Sequence, residues 1–142
     1  MKPFEDIDMD LLLPQQPPFR FVDTLDYYSD EDTVVHLTVG SGHMLMDGDE
    51  LSAAGLLEHM AQASATRSGY RSRFILHIEV GIGFIGQVKK YNISRLPRKG
   101  ERLTTTVHLI QDYFNVSMTD IEVRVGDELI ATASLKSAQA PE

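Results

Sequence analysis

The sequence predicts an α+β fold in which an antiparallel β-sheet wraps around one long central helix. Three observations predict it. Residues 51–69 are small or apolar on nearly every side, which is typical of a helix buried around most of its circumference. Segments with the composition of β-strands lie both before and after this stretch, and turn residues separate them. A curved antiparallel sheet supplies the cover that such a helix needs.

The predicted central helix contains one carboxylate that its surroundings do not explain. Ser52 is a good N-cap, and Gly69 stands where a glycine in the left-handed conformation commonly ends a helix. Between them, Glu58 lies in the second turn, with Gln62 one turn further along the same face. Because an ionised carboxylate in a buried helix is costly without a partner or a task, Glu58 is the first candidate for a functional residue.

The rest of the chain predicts short strands and turns around this helix. A short helix at Ile7 to Leu13 precedes a proline-rich segment and a hairpin with strands at Phe19 to Tyr28 and Thr33 to Val39. Further extended segments follow the helix: Phe74 to Ile85, Gln87 to Arg95, Leu103 to Gln111, Val116 to Val125 and Glu128 to Lys136. Gly126-Asp127 predicts a two-residue hairpin turn. This is the hot-dog arrangement.

Length and composition predict one domain over residues 1–142, with an N-terminal segment at 1–12 and a loose tail at 138–142. The chain has no cysteine, which excludes disulfides and thiolate chemistry. The acidic N-terminus lacks the layout of a signal peptide, and no apolar run approaches the roughly 18 residues of a membrane span. We therefore expect a cytoplasmic protein without a membrane span. No pair of histidines has the spacing of a metal site, and we predict no metal.

The charge is distributed unevenly along the chain. The net charge of −8 argues against general nucleic-acid binding. Residues 1–66 have a balance of −11, residues 67–102 of +7 and residues 103–142 of −4. The basic middle contains Arg67, Arg71, Arg73, Lys89, Lys90, Arg95, Arg98, Lys99 and Arg102. These residues are either solvated groups on loops and strand edges or a docking patch for an acidic partner or a phosphate-bearing ligand.

Three segments resemble the β-hydroxyacyl-acyl-carrier-protein dehydratases of the FabZ type. Leu13 to Asp23 is similar to the family's L-P-H-R-x-P-F-L-L-V-D segment, without a gap. Leu56 to Ala63 is similar to the central-helix motif, in which an acidic residue is followed by A-x-A-Q-A. Arg98 to Leu103 is similar to the V-P-G-D-x-L turn before a long strand. The three segments occur in the family's order and at nearly its spacing.

The loop before the helix departs from the family. The family's H-F-P-G-x-P-x-M-P-G keeps only its histidine here, as His43, and none of its prolines. The interval from His43 to Glu58 is also one residue longer, and Gln15 replaces the histidine of the first motif. In these features the chain resembles a divergent branch associated with aryl-polyene and related pigment clusters.

The resemblance implies a dehydratase. His43 would remove the C2 proton of a 3-hydroxyacyl thioester, and Glu58 would protonate the departing 3-hydroxyl to give a trans-2-enoyl thioester. Histidine titrates near neutrality, and burial favours the protonated form of a carboxylic acid. The N–H groups of Ala53 and Ala54 at the helix start would bind the thioester oxygen, and Gln62 would orient Glu58.

The resemblance also implies the partners. The substrate would be carried on the phosphopantetheine of an acyl carrier protein, or as a CoA thioester, without another cofactor. In the family, the histidine and the acid of one site come from different subunits, so a homodimer with sites at the interface is expected. A higher oligomer or a heterodimer stays open. The basic residues from Arg67 to Arg102 would meet the acidic carrier or the phosphate of its arm.

Two other functions stay open. In a hot-dog thioesterase, a helix carboxylate such as Glu58 would activate water or attack the thioester. In an acyl-binding or partner subunit, the rebuilt loop at His43 would have lost catalysis. Of the other histidines, His59 points about 100° away from Glu58 around the helix and is predicted to pack in the core or at an interface. The strand glycines Gly81, Gly83 and Gly86 predict close approach of an acyl chain or a second subunit.

Overall fold

One antiparallel sheet and one long helix make up most of the computed structural model, which describes residues 3–40, 44–81, 83–113 and 116–139. The helix α1 spans Ala53–Tyr70. The strands are β1 (Thr24–Tyr28), β2 (Asp32–Thr38), β3 (Met46–Asp47), β4 (Glu50–Leu51), β5 (Gly83–Ile93), β6 (Arg102–Tyr113), β7 (Val116–Val125) and β8 (Glu128–Gln139). Six of them form a sheet in the order β1-β2-β6-β7-β8-β5, while β3 and β4 pair separately. The predicted fold class is confirmed.

The alternation of buried and more exposed residues along the strands shows which face of the sheet covers the helix. In β2 every second residue from Thr33 to Leu37 is buried, and β6, β7 and β8 show the same period of two. On the helix side, Leu56, Met60 and Ala63 have no exposed surface. Truncating a buried leucine or methionine to alanine typically costs about 2–5 kcal/mol, so this contact is a principal source of stability.

The start of α1 is as predicted, but its end is not. Ser52 caps the helix, and its Oγ accepts a hydrogen bond from the Gly55 N–H at 3.1 Å. The helix does not stop at Gly69: it continues through Tyr70 into one π-helical turn at Arg71–Ile75. A Cβ atom on Gly69 would lie 2.3 Å from the carbonyl oxygen of Leu12. This glycine therefore permits a close backbone approach and is not a left-handed stop.

The N-terminal segment contains two 3₁₀ turns, Phe4–Asp6 and Met9–Leu11, where the sequence predicted one helix from Ile7 to Leu13. Leu12 and Leu13 are fully buried beside the helix. The predicted strand at Phe19 to Tyr28 is also shorter, because β1 begins only at Thr24. The backbone of Phe19 and Phe21 forms hydrogen bonds with side chains of α1, whereas the N–H of Asp23 already donates to the carbonyl oxygen of His36 in β2.

The prediction of a strand from Phe74 to Ile85 is wrong in its first half. The chain leaves the π-helical turn after Ile75 and enters β5 only at Gly83. The large apolar side chains of this first half are 38–53% exposed, namely those of Phe74, Ile75, Leu76 and Ile78. The apolar and β-branched composition of this segment predicts a buried strand, but the structure leaves these side chains at the surface.

Strand β5 is an edge strand of the six-stranded sheet, and it pairs with β8 on its inner side. The register with β8 shifts between Ile85 and Gln87 and again between Lys89 and Asn92, and Lys90 has a φ of 55°. These are β-bulges, which are common at sheet edges. Among the strands that the structure describes, none pairs with the outer edge of β5.

The C-terminal hairpin confirms the predicted turn at Gly126-Asp127, where Gly126 has a φ of 58°. The tail was expected to be loose from residue 138, but β8 extends to Gln139 and Ala138 pairs with β7. Within the described ranges, no helix is long and apolar enough to cross a membrane.

Candidate active site

Glu58 lies on the wall of a cavity of about 320 Å³ between α1 and the start of β5. The carboxylate is half-buried, and the residues around it are mostly small or apolar, among them Ala61, Ala65 and Ile85. Gly83 also lines the cavity, and a Cβ atom on it would meet no atom closer than 4.0 Å. The site therefore combines one carboxylate with room for an apolar ligand.

Gln62 holds Glu58 and is itself fixed at both ends. Its Nε2 donates to Glu58 Oε1 and to the carbonyl oxygen of Phe19, each at 2.8 Å. Its Oε1 accepts from the N–H of Phe21 at 2.7 Å. Since both amide hydrogens and the amide oxygen are engaged, the side chain can present only its NH₂ group to Glu58. Glu58 Oε1 is thereby an acceptor, and Oε2 is the oxygen that can carry a proton.

His59 faces the core and not the cavity. It is fully buried, with Nδ1 2.6 Å from the carbonyl oxygen of Phe21 and Nε2 2.6 Å from Thr105 Oγ1. Because a carbonyl oxygen only accepts, Nδ1 carries the hydrogen. Gln62 and His59 together bind both polar groups of the Phe21 backbone. This explains why residues 19–22 do not join β1, and it couples the segment to the residue that holds Glu58.

The predicted base, His43, lies outside the described residues. What the structure describes is the chain that follows it, where Met44 and Leu45 are exposed. The carbonyl oxygen of Leu45 accepts from the Ser52 N–H at 2.9 Å, and Leu45 has a φ of 65°. The end of this loop is therefore attached to the start of α1.

Ala53 and Ala54 begin α1 and are exposed. Ala54 precedes Glu58 by one turn on the same helix face, at a spacing of about 5–6 Å. Neither alanine lines the cavity. Tyr91 of β5 donates from its hydroxyl to the carbonyl oxygen of Ala53 at 2.6 Å, and burial raises the pKa of Tyr91 to about 12. Sequence reasoning missed this contact, since nothing in a strand pattern indicates a bond to a helix start.

The predicted docking cations do not form one set. Arg67 is 2% exposed, so its guanidinium is removed from any docking surface. Arg95 is engaged by Glu101 and Glu128, which makes it a structural link between the turn at 94–101 and the last hairpin. Arg71 is partly exposed and pairs with Asp112. The exposed cations of the basic middle are Arg73, Lys89, Lys90, Arg98, Lys99 and Arg102.

A second polar cluster lies at the far end of α1. Arg67 Nη2 and Arg71 Nη1 lie 3.3 and 3.2 Å from Asp112 Oδ2, and Ser117 Oγ donates to Asp112 Oδ1 at 2.9 Å. The Nε of Arg67 is buried and has no hydrogen-bond partner within the described part of the chain. The sequence did contain a signal for this cluster. A charged residue in an apolar helix needs a partner whether it is Glu58 or Arg67.

The remaining histidines are at the surface of the sheet or beyond it. His36 is half-buried and pairs with Asp26, while His77 and His108 are exposed. The neighbouring Asp32 carboxylate raises the pKa of His108. The described ranges contain no group of three His, Cys, Asp or Glu side chains that could hold a metal ion.

Solved structures with the same fold span most of the chain. The dehydratase heterocomplex ApeI:P from Xenorhabdus doucetiae superposes with a TM-score of 0.87 at 18% identity, over 96% of this chain and 93% of that one. A hypothetical thioesterase from Streptococcus pneumoniae, solved with coenzyme A, has a TM-score of 0.65 at 13% identity, over 83% and 85%. The PaaI protein of the E. coli phenylacetic acid degradation operon has a TM-score of 0.62 at 17% identity, over 82% and 78%. These similarities establish the hot-dog fold.

The family itself is identified by sequence. No curated protein matches the chain significantly. The model of the ApeP-like family, described as ApeP dehydratase, matches residues 7–142. This range includes the segment at Phe21, the helix with Glu58 and Gln62, and all six strands of the sheet. The chain therefore belongs to the ApeP-like family of dehydratases.

Proposed function

We propose that the chain eliminates water from a 3-hydroxyacyl thioester carried on the phosphopantetheine arm of an acyl carrier protein. Glu58 is the general acid and His43 is the general base. The observation that carries the proposal is the carboxylate of Glu58, which Gln62 orients at the wall of a cavity of about 320 Å³ lined mostly by small or apolar residues. A CoA thioester presents the same arm and is the second carrier that this site would accept.

The acid step follows from the hydrogen bonds of Glu58. Oε1 accepts from Gln62, so the proton is carried by Oε2. As the C3–O bond breaks, this proton moves to the 3-hydroxyl oxygen and water leaves. General acid catalysis of this kind contributes about 10²- to 10⁴-fold. The apolar side chains around the carboxylate limit the access of bulk water to the reacting atoms.

The base step uses the loop before α1. His43 takes the C2 proton, and the electron pair of the broken C2–H bond forms the C2–C3 double bond as water departs. Two residues after His43, the backbone of Leu45 is bonded to Ser52, which supports delivery of the loop to the helix start. The N–H groups of Ala53 and Ala54 would stabilise negative charge on the thioester oxygen, with the helix dipole behind them.

The proposed site is completed by a second chain, either another copy or a related hot-dog subunit. The outer edge of β5 and the exposed apolar residues between Phe74 and Val88 support this, since such surfaces are normally covered. In this arrangement His43 of one chain serves Glu58 of the other. The exposed cations, from Arg73 to Lys99, would attract the acidic carrier, and we place the reaction in the cytoplasm.

A product assay tests the proposal. The substrate, 3-hydroxyacyl carrier protein, is incubated separately with wild type, His43→Ala and Glu58→Ala. The mass of the acyl group is then measured by mass spectrometry. Loss of water with wild type and with neither variant supports the dehydratase. Release of the free acid would instead indicate a thioesterase. Neither product, across several chain lengths, would indicate an acyl-binding or partner subunit.

A further inference from the structure

Glu58 and His59 are neighbours in the sequence but face different surroundings, and a chain of hydrogen bonds through the Phe21 backbone connects them. His59 Nδ1 lies 2.6 Å from the carbonyl oxygen of Phe21. The N–H of Phe21 donates to Gln62 Oε1 at 2.7 Å, and Gln62 Nε2 donates to Glu58 Oε1 at 2.8 Å. The core side of α1 is thereby connected to the wall of the cavity.

His59 does in the core what an apolar residue of similar size could not do. Its ring is fully buried and lies between the segment before β1 and strand β6. Because Nδ1 carries the hydrogen for the Phe21 carbonyl, Nε2 of the neutral ring is an acceptor, and Thr105 Oγ1 donates to it at 2.6 Å. A buried polar ring is costly unless its nitrogens are bonded. His59 therefore fixes the Phe21 carbonyl relative to both α1 and the sheet.

The orientation of the Gln62 amide depends on this arrangement. The N–H and the carbonyl of Phe21 flank one Cα atom, so a fixed carbonyl restricts the direction of the N–H. That N–H requires the oxygen end of the amide, and the carbonyl oxygen of Phe19 requires the NH₂ end. A flipped amide would turn its oxygen towards Glu58 Oε1 and would leave the Phe21 N–H facing another donor. The amide is therefore held in the orientation that donates to Glu58.

We infer that His59 is a positioning residue for Glu58, acting through the Phe21 backbone and the Gln62 amide. The inference deepens the proposed function and rests on it. By holding the Phe21 carbonyl, His59 keeps the NH₂ group of Gln62 on Glu58 Oε1, which leaves Oε2 to deliver the proton. A displacement of about 1 Å at a reacting group can cost about 10²-fold in rate. Substitution of His59 is therefore expected to lower kcat more than it raises KM.

Two substitutions of His59 separate positioning from stability. In His59→Asn, the amide nitrogen takes the place of Nδ1 and can still donate to the Phe21 carbonyl, while the bond to Thr105 is lost. In His59→Gln, the longer side chain reaches the place of Nε2, so Thr105 keeps a partner and Phe21 loses its donor. We expect His59→Gln to lower kcat about thirtyfold with KM within about twofold, and His59→Asn to stay within about threefold of wild type. Because each variant loses one hydrogen bond, their urea denaturation midpoints should be similar.

A double substitution tests whether His59 acts through Gln62. Gln62→Leu removes the amide that orients Glu58, so adding His59→Gln should lower kcat no further than Gln62→Leu alone. The matched control pair is His108→Asn and His108→Gln, at the exposed surface of β6, and both should keep the wild-type kcat and KM. Additive losses in the double variant, or equal kcat values in His59→Asn and His59→Gln, would overturn the inference.

Nuclear magnetic resonance tests the same chain of contacts without turnover. In wild type, the ring nitrogen resonances of His59 should show a hydrogen fixed on Nδ1, a result that needs no variant to fold. The Phe21 amide hydrogen should exchange with solvent about tenfold faster in His59→Gln and at the wild-type rate in His59→Asn. A hydrogen on Nε2, or equal exchange in the two variants, would overturn the inference. The expected resonances and exchange rates without water elimination in wild type would count against the proposed reaction alone.

Discussion

Glu58 and Arg67 are both charged residues in the same apolar helix, but they differ in burial and in the kind of partner that holds them. Glu58 is half-buried and is held by the neutral amide of Gln62. Arg67 is almost fully buried and is paired with the carboxylate of Asp112. A carboxylate without an ion pair can exchange its proton during a reaction, whereas an arginine cannot lose its proton in a protein. The helix thus separates a residue suited to proton transfer from one suited to a fixed structural ion pair.

The largest effect expected from this contrast is on activity. Glu58→Gln removes the proton donor but keeps an oxygen that can accept from Gln62. We expect kcat/KM for dehydration to fall about 10³-fold, with the free energy of unfolding unchanged within about 0.5 kcal/mol. Mass-spectrometric turnover and urea denaturation measure the two quantities. Glu122→Gln on the exposed face of β7 is the control, and a large loss of stability in Glu58→Gln would mean that the residue is structural.

The opposite outcome is expected at the other end of the helix. Asp112→Ala leaves Arg67 buried without its counter-ion, which should lower the free energy of unfolding by about 3 kcal/mol. Urea denaturation should show a lower midpoint with an unchanged slope. Asp120→Ala, at an exposed carboxylate of β7, should have little effect. Equal stabilities of the two variants would contradict the assignment of Asp112 as the partner of Arg67.

His59 provides a neutral comparison with the two charged residues. His59→Leu keeps a similar volume but removes the bonds to Phe21 and Thr105, at a cost of about 1–3 kcal/mol. Because Phe21 is bonded to Gln62, activity should also fall, though less than in Glu58→Gln. His108→Leu at the exposed surface is the control. Denaturation midpoints together with turnover decide whether His59 acts only on stability.

The smallest effect is expected at a charge that is partly exposed. Hydrogen bonds from Arg95 lower the pKa of Glu101 from 4.5 to about 2. A lowered pKa in the folded state means that stability is present above pH 4.5 and is lost as pH falls towards 2. Since the pair is partly exposed, the loss is about 1 kcal/mol or less. Unfolding free energies measured across this pH range should decrease less steeply in Glu101→Gln than in wild type. Parallel curves of unfolding free energy against pH would contradict a stabilising role for the pair of Arg95 and Glu101.

The sequence predicted the parts of the fold that depend on local chemistry. Ser52 caps the helix because its side chain reaches an N–H three residues away, and Gly126-Asp127 forms a turn through its own backbone geometry. Both signals involve only neighbouring residues. The alternation of the last three strands likewise needs no information beyond the period of two.

The errors occur where distant segments meet. Residues 19–22 have a strand-like composition, yet Gln62 and His59 bind their backbone from about 40 positions away along the chain. Gly69 looks like a helix stop from its local sequence alone. Its actual role is set by the close approach of the Leu12 carbonyl oxygen, which is distant along the chain. Arg67 looked like a docking residue because its partner, Asp112, is distant in sequence. The candidate acid could be identified from one helix, but its supporting contacts could not.

The contact between Gly69 and Leu12 has a consequence for building chimaeras within this family. No side chain fits between the helix end and the N-terminal segment, since even a Cβ atom would collide with the Leu12 carbonyl. Leu12 and Pro14 also line the cavity beside Glu58. A recombination crossover that takes residues 9–14 from one parent and the end of α1 from another would therefore disturb packing and ligand space together. These two segments should be inherited as one block.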